Sequence, residues 1–211
     1  KTRIHAVIQS HVDSDRLAEG TIEMIRGAAT NYWAQGVDGL YLAHWFGNWP
    51  YDASFYAKLR ELPHPEVMST KDKFYYVPTE TGRYPKPSAG PGLTRTLPVA
   101  LELGSPISVP FKISDDMCRW ESAGRVHEVL LRVRIMNTTE IDCLRFDLNG
   151  SILPDELLRR INQIYQMQSP RYRTGSGYWF MYHLSRRYWP QQGLNTLEVT
   201  LIKRDSQVIP S

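Results

Sequence analysis

Apolar and polar positions follow two different rhythms along this chain, and the change of rhythm divides it. In residues 1–62 short apolar runs alternate with helical periodicity. "IHAVIQ" (4–9) is β-branched and apolar and predicts a strand. Thr21 reads as an N-cap before "IEMIRGAATNYWAQ" (22–35), where Ile22, Ile25, Ala29, Tyr32 and Trp33 recur at helical spacing and Gly36 supplies the stop. "GLYLAHW" (39–45) is apolar at nearly every position, as in a parallel strand covered on both faces. Asp52 then caps a second helix, "ASFYAKLREL", which ends before Pro63. Strand, helix, strand, helix with short connections is the order of an α/β sheet or barrel.

Residues 63–92 lose this pattern and become rich in proline and glycine, which predicts an extended connector. From residue 93 the period falls to two. "LPVALELGSPISVPFKISDD" reads as two short strands joined at Gly104-Ser105-Pro106. "HEVLLRVRIMN" places Val129, Leu131, Val133 and Ile135 on one face. "CLRFDLNGSILP" carries an Asn-Gly hairpin signal, and "GYWFMYHLS" and "NTLEVTLIKR" are further strands. One helix is expected within this region, opened by Pro154, Asp155 and Glu156, with Leu157, Ile161, Ile164 and Tyr165 as its apolar stripe. Short strands separated by turns predict a β-sandwich of jelly-roll type. The expected class is therefore α/β followed by all-β: 1–62 from a parallel α/β barrel, 63–92 a connector, and 93–211 a β-sandwich with one inserted helix.

Composition leaves this picture intact and narrows the partners. Of 211 residues, 42% are hydrophobic, enough for a sizeable core. The net charge of +3 is well mixed: residues 1–62 carry six Lys/Arg against seven Asp/Glu, and 99–211 carry fourteen against twelve. Such mixing argues against nucleic acid as a partner. No run is long enough to span a bilayer. The chain opens directly on a strand-like segment, and the expectation is a fragment with a signal peptide and further domain upstream. Asn137-Thr138-Thr139 and Asn149-Gly150-Ser151 are glycan acceptors in a secreted protein, where Cys118 and Cys143 would form a disulfide; free cysteines are the alternative.

Candidate chemistry gathers behind the two parallel-type strands. In a barrel, residues at the carboxyl ends of strands face the substrate. His11 and Asp13 follow the first strand; His44, Trp45, Asn48 and Trp49 follow the second. Indoles stack on the C–H faces of sugars while Asn, His and Asp bond hydroxyls, a set suited to carbohydrate. Packing beneath the sandwich is the competing role for Trp45 and Trp49. Glycoside hydrolysis needs two carboxylates flanking the bond, and the strand ends offer only Asp13. Catalytic carboxylates are therefore expected outside this chain. There is no phosphate-binding glycine loop, no nucleophile elbow and no metal-ligand spacing, so neither cofactor nor metal is expected. "RYRTGSGYWFMYHLSRRYW" (171–189) is basic and aromatic, but its alternation of Tyr178, Phe180 and Tyr182 with Trp179, Met181 and His183 fits a strand packed on both faces.

"NYWAQGVDGLYLAHWFGNWPYD", "LRELPHPEVMSTKDKFYYVP", "LPDELLRRIN" and "GLNTLEVTLIKRD" together resemble the carboxyl-terminal part of a glycoside-hydrolase-like family of (β/α)8 barrels with a trailing β-sandwich. The resemblance implies that residues 1–62 are the last two βα units of the barrel. The rest of the barrel would come from an upstream segment or a partner chain. It implies a secreted protein that acts on or binds carbohydrate. Two other readings remain open: a non-catalytic extracellular structural or adhesion protein on a hydrolase-derived scaffold, and an independent carbohydrate-binding module at 93–211.

Overall fold

The computed structural model describes residues 2–9, 21–43, 53–77, 97–161 and 177–206. It has mixed α/β content with mostly antiparallel sheets, and it divides into two compact units. The first comprises 1–98 and 111–116, the second 99–110 and 117–211.

In the first unit, β1 (His5–Gln9) and β2 (Gly39–Ala43) are parallel neighbours in register from His5 opposite Gly39 to Gln9 opposite Ala43. Helix α1 (Ile22–Ala34) connects them, with the Thr21 side chain accepting the Met24 amide as an N-cap. Its end falls where the sequence puts it: Gly36 takes φ 82°, the left-handed position after a helix that glycine enters without strain. The Asp38 amide then donates to the Ile4 carbonyl and the Ile4 amide to Asp38 Oδ2, which sets the start of β1 beside β2. Helices α2 (Ala53–Glu61) and α3 (Pro65–Met68) follow, so the connector expected from residue 63 opens instead with one helical turn.

Ile8, Ile25, Ala29, Leu62 and Met68 form the core here, with Tyr32, Trp33, Leu40 and Leu42 packed against them. Strand alternation decides which side is covered. Ile8 and Leu42 face the helices, whereas the register partners Val7 and Tyr41 point the other way and are 49% and 61% exposed. A Cβ at Gly27 would collide with the Phe74 carbonyl, because residues 72–77 run against α1 and the Phe74 amide donates to Glu23 O.

The second unit is built on antiparallel pairing. Its strands are β3 (Pro106–Ile113, whose last three residues belong to the first unit), β4 (Leu130–Met136), β5 (Cys143–Leu148), β6 (Ser151–Ile152), β7 (Leu158–Ile161), β8 (Gly177–His183) and β9 (Gly193–Lys203). They form a sheet of order β3-β9-β5-β6 and a second of order β4-β8-β7. Phe146 of the first sheet packs on Phe180 and Tyr182 of the second, with ring centroids 5.3 and 5.4 Å away, so their apolar faces meet. Asn149 and Gly150 both take positive φ, 52° and 80°, as the tight two-residue hairpin between β5 and β6 requires.

Three expectations change. The helix expected from Pro154 onward is a single 3-10 turn, Asp155–Leu157, that runs straight into β7. Leu157 and Ile161 fit a helical stripe on paper, but pairing with β8 satisfies the backbone from Leu158 to Ile161. Ile164 and Tyr165 lie outside the described residues. A helix does occur in this unit, α4 (Met117–Ser122), where none was expected. The strand expected before Gly104 is reduced to one bridge, Leu103 with Leu201, after which Gly104 turns the chain into β3.

Candidate functional site

Gln9 and Ala43 are register partners, so the backbone leaves β1 and β2 at the same edge of their sheet. The residues named for carbohydrate contact, His11, Asp13, His44, Trp45, Asn48 and Trp49, follow these two strand ends and lie outside the described residues. The frame that would present them is set by polar contacts behind it. Arg26 Nε meets Glu61 Oε2 at 2.6 Å and its Nη1 donates to the Asp72 carbonyl, joining α1 to α2 and to the following segment. The Trp33 indole donates to Leu62 O at 2.8 Å.

A second polar cluster joins residues 72–77 to 111–116 within this unit. Lys73 Nζ lies 3.0 Å from Asp115 Oδ2, and only 3% of the lysine side chain is exposed. Asn31 Nδ2 donates to Lys112 O and accepts Ser114 Oγ on its own carbonyl oxygen. The Tyr75 hydroxyl is buried beside Asp115; burial, reinforced by the Asp115 charge, pushes its pKa far above the ordinary tyrosine value. Burial likewise raises Tyr76, with Tyr32 adding to it. This cluster is enclosed and holds segments in place.

In the second unit a shallow depression of about 400 Å³ is lined by Asn149, Gly150, Gln191, Leu194, Thr196 and Glu198. Its floor is fixed by amides. Asn195, 1% exposed, accepts on Oδ1 from Asn149 Nδ2 and the Gln191 amide, and donates from Nδ2 to the Gln191 and Gly193 carbonyls. Asn149 Oδ1 accepts the Thr196 amide at 2.9 Å. Asn149 was expected as a glycan acceptor; in the fold its carboxamide ties the β5–β6 hairpin to β9. Asn137, the other acceptor, is exposed at the end of β4 with φ 54°.

Strand register also produces a carboxylate pair that sequence reading missed. Asp147 of β5 is directly opposite Glu198 of β9, on the polar face of that sheet. Glu198 Oε1 accepts from Ser108 Oγ at 3.1 Å, while Asp147 Oδ1 is buried with no hydrogen-bond donor. Directly opposed like charges weaken a sheet. Of the two acids, Glu198 lines the depression, together with Thr196 and Gln191. Alternation in "CLRFDL" and "GLNTLEVTL" puts both acids on polar faces, but only the pairing of β5 with β9 brings them together.

Cys118 on α4 and Cys143 at the start of β5 are both exposed and are not joined to each other in this structure. Among the described residues no group of three or more His, Cys, Asp or Glu is arranged to hold a metal, and no helix is long and apolar enough to cross a membrane. In comparisons with known proteins, no family pattern matches the chain and no curated protein is significantly similar to it.

Proposed function

We propose that this chain is the carboxyl-terminal part of a secreted, glycoside-hydrolase-like protein that binds or acts on carbohydrate. The observation that carries the reading is the parallel β1–α1–β2 unit, whose strands release the chain at one edge immediately before the His11/Asp13 and His44/Trp45/Asn48/Trp49 segments. Parallel strands are ordinarily covered on both faces, and here Val7 and Tyr41 are exposed. In this reading further βα units, from the same protein or a partner chain, extend the barrel over that face and supply the catalytic carboxylates. The two face-to-face antiparallel sheets fit a trailing sandwich of jelly-roll type.

Screening the full chain on a glycan array tests the reading. Binding of a neutral oligosaccharide that weakens about tenfold or more in Trp45→Ala and Trp49→Ala is the expected outcome, since stacked aromatics dominate such contacts. Binding that survives both substitutions moves the site elsewhere and removes the barrel-rim assignment. Turnover of a bound glycan, restored only when upstream βα units are present, would separate the enzyme from a non-catalytic adhesion scaffold.

A further inference from the structure

Two Asn-x-Ser/Thr acceptor motifs stand in the second unit, and the fold treats their asparagines in opposite ways. Asn137 follows the last residue of β4 and takes φ 54°, a left-handed position that asparagine enters more readily than most side chains. The residues after it hold the turn. Thr138 Oγ1 donates to the Ile135 carbonyl, and Thr139 Oγ1 donates to Asp205 Oδ2. Asp142, 3% exposed, accepts the Thr139 amide on one oxygen and the Asp205 amide on the other, each at 2.7 Å. Arg160 Nη1 donates to the Glu140 and Asp142 carbonyls. None of these bonds uses the Asn137 carboxamide, and the residue is exposed. Asn149 differs. Its Nδ2 lies 2.8 Å from Asn195 Oδ1, and its Oδ1 lies 2.9 Å from the Thr196 amide. Asn195 is closed beneath it, bonded in turn to Gln191 and Gly193.

We infer that Asn137 carries an N-linked glycan in the folded protein and that Asn149 does not. The inference rests on the secreted character proposed above, not on carbohydrate binding. In the reaction Asn137 Nδ2 bonds to the anomeric carbon of an oligosaccharide held on a lipid-linked pyrophosphate. The carbon–oxygen bond to the pyrophosphate breaks, the lipid pyrophosphate leaves with the electron pair, and one Nδ2 proton passes to a base of the transferase. Transfer precedes folding, so the fold does not choose the acceptor; it decides which modified chain can reach the native state. A glycan on Asn137 adds bulk at an exposed turn whose hydrogen bonds all survive. A glycan on Asn149 replaces a hydrogen of Nδ2 and sets a sugar ring against the closed amide network under the β5–β6 hairpin. Asn195 Oδ1 would lose one of its two donors, and the tie from the hairpin to β9 would open.

Secretion of the full chain from a eukaryotic cell behind a cleavable leader, followed by enzymatic removal of N-glycans in heavy-oxygen water, tests this. The enzyme converts each glycan-bearing Asn to a heavy-oxygen Asp, which peptide mass spectrometry locates. The label is expected at residue 137 in most secreted molecules and not at residue 149. Asn137→Asp is expected to abolish the glycan-dependent mobility shift while the chain is still secreted, because Asp tolerates the same φ. Ser151→Ala removes the second acceptor motif but leaves the Asn149 carboxamide in place, and it is expected to leave the shift unchanged. Secreted chains that are bare at Asn137, or that carry the label at Asn149, overturn the inference. The leader supplies entry to the secretory lumen, so the result is separable from the reading above. A label at Asn137 alone upholds the inference even if the array shows no binding, which removes only the carbohydrate reading. Array binding by a chain bare at Asn137 overturns the inference and leaves that reading in place.

Discussion

The two units solve the problem of a sheet's second face in opposite ways. In the second unit each sheet presents an apolar face to the other, with Phe146 against Phe180 and Tyr182. In the first unit one face of the β1–β2 pair is sealed by α1, Leu62 and Met68, while Val7 and Tyr41 remain exposed on the other. A self-sufficient sandwich needs alternation, and β5 and β9 alternate strictly over most of their length. A strand meant to be covered twice needs apolar residues throughout, and β2 has them. In the proposed reading further βα units cover the open face of the first unit, whereas the second unit buries Phe146, Phe180 and Tyr182 between its own sheets.

The largest expected effect follows from that packing. Phe146→Ala removes the ring on which both sheets meet and should cost about 3–5 kcal/mol. Urea unfolding followed by circular dichroism measures it, and a loss below about 1 kcal/mol would mean that the two sheets do not depend on this contact. In the first unit the comparable vulnerability is ionic. Asp115→Ala strands the buried Lys73 ammonium and should destabilise by about 3 kcal/mol. Lys73→Met/Asp115→Ala should recover much of that loss, because neither charge is then left alone.

A smaller effect appears at alkaline pH. Tyr75 in the first unit and Tyr182 in the second both have raised pKa values, chiefly through burial, reinforced by Asp115 and Asp155 respectively. In the unfolded chain these hydroxyls ionise near pH 10, while in the fold they stay protonated. The unfolded state therefore binds fewer protons in that range, and stability falls as pH rises above about 10. Tyr75→Phe should flatten this decline. An unchanged alkaline decline in Tyr75→Phe/Tyr182→Phe would show that neither hydroxyl is held neutral. The smallest effect is at the open face: Tyr41→Ser should shift stability by less than about 0.5 kcal/mol in this chain. A larger loss would show that this face is already covered.

Much of the fold was legible because local signals agreed. Thr21, the helical spacing through Trp33, and Gly36 define α1 with no help from tertiary contacts, and Asn149-Gly150 fixes its hairpin. The failures occur where a short window serves two periods. Leu157 and Ile161 suit a helix, yet their segment joins β8, a preference set by pairing rather than by its own residues. The candidate site was legible only as a position behind two strand ends. Its better-defined polar groups were not visible at all, because they arise from contacts distant in sequence. Lys73 and Asp115 meet across 42 positions, and Asp147 and Glu198 across 51. A search for carboxylates at strand ends could not find a pair made by antiparallel register.

The six tryptophans offer the most direct test of the central claim that carbohydrate is bound behind β1 and β2. Their indole N–H resonances can be followed by NMR while a neutral oligosaccharide identified on the array is added. The Trp33 and Trp189 indoles donate to the Leu62 and Leu184 carbonyls and should serve as fixed references. The resonances assigned to Trp45 and Trp49, by loss in the corresponding Phe variants, are expected to move and saturate together. Saturating shifts confined to Trp120, Trp179 or Trp189, with Trp45 and Trp49 unmoved, would contradict it.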